Sequence, residues 1–162
     1  NQQYIKQMSI EEFVEVSRPF LSDLPTEKYD LKKVMALEKD RINTLQELPE
    51  VLKFVFILPK YESDLLIWKK SNTEDTKKIL VQFKDFLVNF NDKEWLKENL
   101  ETKSIDWIKN NNLTNGEVLW PVRVALSGQK NSPGPFEIAE VLGRKETLHR
   151  IKYATDILNE KL

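Results

Sequence analysis

Only four of the 162 residues are glycine, and apolar side chains recur mainly three and four positions apart. A chain so poor in the residue that permits tight reversals, patterned at the helical rather than the strand period, reads as all-α. Local signals divide it into elements. Ser9 to Glu12 forms a capping box, the hydroxyl accepting an orphan amide while the carboxylate reaches back. The helix it opens carries Ile10, Phe13, Val14 and Ser17 on one face and ends before Pro19. Asp30 caps a second helix, read through LKKVMALEKDRI. Thr44 to Glu47 is another capping box, and Pro49 suits the first turn of the helix that follows.

A longer helix from about Thr73 presents Ile79, Leu80, Phe83, Phe86, Leu87 and Phe90, a wide stripe for a core. Asn91 or Asp92 is read as the cap of WLKENLETKSIDWIKNNN. After the run Asn110 to Asn112 the texture changes. GEVLWPVRVALSG is apolar and helical, QKNSPGP is a loop, FEIAEVLG is a short helix closed by Gly143, and RKETLHRIKYATDIL is a last amphipathic helix. The expected organisation is therefore two helical subdomains, residues 1–112 and 113–162.

Charge first argues against nucleic acid, because 25 basic and 26 acidic side chains leave a net −1 and a pI of about 6.0. The balance is an average of unlike parts. Residues 1–70 carry 11 basic and 12 acidic groups and residues 71–118 carry 7 and 9, but residues 119–162 carry 7 and 5. Cysteine is absent, which removes disulfide and thiolate chemistry. A single histidine, His149, leaves no ordinary zinc set. No apolar run approaches the roughly 20 residues of a membrane span. The start lacks a signal-peptide pattern and an initiator Met. The expectation is a soluble, cytoplasmic piece of a longer polypeptide.

The carboxylates fall mostly on polar helix faces beside lysines, and neither a Ser–His–Asp set nor a glycine-rich phosphate loop is present. No catalytic residue is assigned, and no metal site. Two segments stand out instead. Arg41 lies just before the Thr44 cap, and Arg123 lies on a helix followed by a Pro-Gly loop. Guanidinium forks, exposed loop amides and apolar platforms are the parts that read unpaired bases. Plain helix surface with an inter-helix turn explains the same residues, and the pattern alone leaves both readings open.

Three motifs carry a resemblance. The opening NQQYIKQM, the middle RINTLQELPE followed by FVF, and above all PVRVALSGQKNSPGPFEIAEVLGRKETLHRI resemble the C-terminal anticodon-binding region of bacterial-type glutamyl-tRNA synthetases, which are class I aminoacyl-tRNA synthetases. The likeness spans nearly the whole chain. It implies an all-α, two-part helical unit that contributes selection of glutamate tRNA to an ATP-dependent ligase.

By that resemblance Arg41 matches an arginine contacting the third anticodon base, and Arg123 one facing the first. Ser132 and Pro133 match a Thr-Pro pair lining the anticodon pocket. Trp120 and Pro135 stand where other members carry Gln and Leu facing the anticodon. Lys130, Arg144, Lys145, His149, Arg150 and Lys152 are the expected phosphate contacts. The fragment itself implies no cofactor and no catalysis; ATP and Mg2+ belong to the catalytic domain of the same polypeptide. The implied partner is tRNA, with no membrane. Two alternatives come from other classes. One is a helical interaction module docking a tRNA-dependent amidotransferase, which requires an exposed apolar patch over helices 73–109. The other is a helical enzyme, which requires inward carboxylates with raised pKa.

Overall fold

The computed structural model describes residues 1–162 and holds eight α-helices joined by loops and short 3-10 turns, with no strand. The architecture is all-α, as the spacing predicts. Backbone packing separates two compact units, Asn1–Leu58 and Pro59–Leu162.

The first unit contains α1 (Gln2–Gln7), α2 (Ile10–Ser17), α3 (Leu31–Ala36) and α4 (Leu48–Phe56). Both capping boxes form: Ser9 with Glu12, and Thr44 with Glu47. The Asp30 carboxylate accepts from the amides of Lys32 and Lys33 and starts α3. Phe13, Val34, Met35, Leu48, Leu52 and Val55 are buried, so the apolar stripes of α2, α3 and α4 all face inward. α3 is shorter than the pattern predicts and stops at Ala36 rather than running to Ile42. The amides of Leu37 and Glu38 turn to the i−3 carbonyls of Val34 and Met35. The winding that follows buries Leu37, Glu38 and Ile42 together, a tertiary gain that overrides local propensity.

The second unit contains α5 (Thr73–Val88), α6 (Lys97–Asn110), α7 (Asn115–Ser127) and α8 (Pro135–Asn159). α5 packs on α7 and α8, and α6 packs on the same pair. Residue 112, where the sequence suggests a division, lies inside this unit between α6 and α7. What changes there is surface charge and loop composition, whereas the apolar stripe of α5 continues into the core of the later helices. Phe83, Phe86, Phe90, Trp95 and Trp107 form one aromatic cluster, with neighbouring ring centroids 5.3–6.0 Å apart.

Asn91 does cap, but it caps a 3-10 turn over Asp92–Glu94, and α6 begins only at Lys97. The interruption buries Trp95, whose indole N–H donates to the Ala139 carbonyl at 2.8 Å. The Lys97 amide at the start of α6 donates to the Glu140 carboxylate at 2.7 Å, a cap supplied from α8.

Two glycines act as stops. Gly128 (φ 65°) ends α7 in the left-handed conformation, and a Cβ there would lie 2.8 Å from the Pro59 carbonyl oxygen. Gly143 (φ 81°, ψ 170°) breaks α8 into two helical stretches, at the residue where the pattern predicts closure. The chain between these glycines carries the loop that positions the candidate site.

Candidate nucleic-acid interface

α7 delivers Trp120 and Arg123 to one side of the second unit. The Trp120 indole N–H donates to the Leu65 carbonyl at 2.9 Å, which fixes a half-buried ring. The Arg123 guanidinium carbon stands 5.0 Å from the centroid of that ring. Arg123 Nη1 donates to Ser132 Oγ at 3.0 Å, and Ser132 Oγ donates in turn to the Pro133 carbonyl at 2.9 Å. Ser127 closes the base of the loop, its hydroxyl donating to the Arg123 carbonyl at 2.8 Å. Trp120, Arg123, Ser132 and Pro133 therefore converge, although up to thirteen positions separate them. Pro133 is buried and acts as a wedge, while Pro135 begins α8 and is half-buried.

The expected phosphate contacts divide into two kinds. Lys130, Lys145, His149 and Lys152 are exposed. Lys145, His149 and Lys152 share one face of α8, being spaced by four and three residues. Lys152 also pairs with exposed Asp156 at 2.8 Å, a contact worth little in water.

The two arginines are otherwise engaged. Arg150 is only 1% exposed; its Nη1 donates to the Leu126 carbonyl at 2.7 Å and its Nε to Glu146 at 3.0 Å. Its expected place on the RNA-facing surface is therefore corrected: it is a core tie between α7 and α8. Arg144 donates from Nε to the Phe90 carbonyl and from Nη2 to the Val88 carbonyl, at 2.9 and 2.8 Å. It caps the C-terminal end of α5, where a cation is also favoured by the helix dipole. A purely phosphate-binding reading of Arg144 misses that load.

In the first unit Arg41 lies on the turn after α3, with its side chain 43% exposed. Its Nε donates to the Glu38 carboxylate at 3.2 Å. Burial pushes the Glu38 carboxyl above the usual carboxylate range, while the neighbouring Arg41 charge pulls it down. Glu38 was invisible as a site residue in sequence, and its signal was slight: an acid three positions before an arginine. No group of three or more His, Asp or Glu side chains is arranged to hold a metal ion. No helix is long and apolar enough to cross a membrane. Over 73–109 the exposed large apolar side chains are Val81, Val88 and Leu96, scattered in the ordinary way. That scatter gives the docking-module alternative no support.

The second unit is thus an all-helical scaffold that holds an arginine over an indole beside a Pro-Gly loop. A family model described as "Anticodon binding domain" matches residues 12–155, and the chain belongs to that family. Its curated relatives include the glutamate–tRNA ligase of Clostridium kluyveri, 38% identical over 94% of this chain and 32% of that protein. The glutamate–tRNA ligase of Clostridium tetani is 36% identical over 100% of this chain and 33% of its own length. The chain thus spans about a third of these relatives. Among solved structures, a glutamate tRNA ligase of Elizabethkingia meningosepticum in complex with its amino acid has a TM-score of 0.81. It is 22% identical, covering 96% of this chain and 31% of that one, and supports the fold.

Proposed function

We propose that this chain is the anticodon-reading part of a glutamate–tRNA ligase. The observation that carries the reading is the Arg123 cluster. A guanidinium lies over a fixed indole and is tied to the Pro-Gly loop, inside the segment that matches the anticodon-binding family. A planar fork so held is suited to an unpaired pyrimidine, whose carbonyl oxygen and ring nitrogen it can meet in one plane. Arg123, Trp120, Ser132, Pro133 and Pro135 line the side facing the first anticodon base. Arg41 faces the third. Each of the two compact units, Asn1–Leu58 and Pro59–Leu162, contributes one base-reading arginine. Lys130, Lys145, His149 and Lys152 supply phosphate contacts, which set position without reading sequence.

On this reading the partner is glutamate tRNA. Glutamate activation with ATP and Mg2+ and esterification of the tRNA belong to a catalytic domain of the same polypeptide, in the cytoplasm. The domain's own work is to hold the anticodon loop open and reward the right bases.

Replacing Arg123 by Lys tests the assignment, because Lys keeps the charge but offers neither plane nor fork. Filter binding of glutamate tRNA is expected to weaken by about tenfold, the scale of a bidentate base contact. An unchanged affinity would show that Arg123 contributes only charge.

A further inference from the structure

Glu38 is a charged group that nothing in the anticodon assignment uses. It is 5% exposed, in a turn whose other inward residues, Leu37 and Ile42, are apolar. Burying a carboxylate there costs free energy unless a partner compensates it, and the partner is Arg41. The backbone repeats the link. The Glu38 carbonyl accepts from the amides of Arg41 at 2.9 Å and Ile42 at 3.1 Å. One residue further, Lys39 Nζ reaches the Lys6 carbonyl at the end of α1, at 2.8 Å. The turn bearing Arg41 is thus held from both sides.

We propose that Glu38 is a positioning residue for base recognition: its buried carboxylate grips Arg41 at Nε and so presents the Nη1–Nη2 edge outward as a preformed fork. The inference rests on the reading of Arg41 as the contact to the third anticodon base. A guanidinium is planar, so fixing one edge sets the direction of the other. A free arginine gives up much of its side-chain freedom on binding a base, and Glu38 removes part of that loss in advance. It also removes one donor from competition. With Nε occupied, the opposite Nη1–Nη2 edge presents two parallel N–H donors, which match the adjacent O2 and N3 acceptors of cytosine. On its pairing edge guanine offers one acceptor, O6, beside the N1–H and amino donors, so that edge cannot accept the same pair.

The test uses the whole chain and two anticodon stem-loop RNAs that differ only by cytosine or guanine at the third anticodon position. Glu38→Leu fills the buried site without an acceptor; Glu38→Gln keeps a neutral one. The ratio of the two affinities is expected to fall about tenfold in Glu38→Leu and less in Glu38→Gln, as for loss of a hydrogen bond to a charged group. In an Arg41→Ala background Glu38→Leu should change the ratio no further. A structural role alone would weaken both RNAs equally and leave the ratio intact; that result overturns the proposal.

The RNA-free protein supplies a second readout, the Arg41 Nε–Hε NMR resonance. It should be shifted and protected from exchange in the wild type and lose both properties in Glu38→Leu. If that resonance is indifferent to Glu38, the positioning is wrong whatever the RNA does. If the resonance responds but Arg41→Ala leaves the ratio unchanged, the base-reading assignment of Arg41 has failed, and the inference about recognition falls with it.

Discussion

Arg150 and Glu38 are both buried charges, and each has a consequence that a surface residue would lack. Arg150 bridges the Leu126 carbonyl and Glu146 from a nearly inaccessible position. Replacing it by Ala leaves a carbonyl unpaired, an acid without its partner and a cavity. The loss expected is about 3 kcal/mol, as for a broken buried pair. Thermal unfolding checks this, and a change within 0.5 kcal/mol, roughly the scale of a surface site, would contradict the core assignment.

Glu38 makes a prediction of opposite character. Its folded pKa lies above the unfolded value of 4.5, first because of burial and in spite of Arg41. The folded state therefore binds that proton more readily than the unfolded chain does. Its contribution to stability is full below pH 4.5 and is lost as pH rises through the folded pKa. Glu38→Gln cannot titrate, so its stability relative to the wild type should improve from about pH 4 to pH 7. Parallel unfolding curves at the two pH values would show that Glu38 titrates normally. A variant that gains stability while losing base discrimination would be the mark of a residue kept for recognition.

At the scale of elements, start and stop signals were legible wherever their chemistry is local. Ser9 with Glu12 and Thr44 with Glu47 each close a capping box within four residues. Gly143 was legible for the same reason. Its φ of 81° with ψ of 170° is a conformation that essentially only glycine adopts. Gly143→Ala meets no atom within 4 Å, so its cost is backbone strain alone, about 1–3 kcal/mol. Denaturant unfolding measures it, and a neutral or stabilising effect would mean that the break can be straightened.

Elements settled by distant partners were not legible. α3 ends early to bury Glu38 and Ile42. α6 starts late because Trp95 seeks a carbonyl 44 positions away. The two misplaced arginines belong to this group: Arg150 finds its carbonyl 24 positions back, and Arg144 finds its two 54 and 56 positions back. An arginine on an amphipathic helix looks the same in sequence whether it faces a phosphate or ties a core. Trp120, expected at the anticodon by resemblance, lies beneath the Arg123 guanidinium in the structure, a pairing of side chains that sequence did not signal.

For the whole molecule, the near-neutral charge acquires a physical meaning. Of the six basic or histidine side chains expected at phosphates, four are exposed and two are engaged in holding helices. If only those four meet phosphates, as proposed, little affinity comes from counterion release, and binding to RNA at large should be weak. On the proposed reading, discrimination then comes from the bases, through Arg123 in one unit and Arg41 in the other.

Filter binding of the chain to glutamate tRNA, beside the same tRNA with only its third anticodon base changed from cytosine to guanine, tests that directly. Tighter binding of the unchanged tRNA by about tenfold or more, the scale of one base contact, is the result predicted. Equal affinity for the two, even if both bind, would contradict anticodon reading.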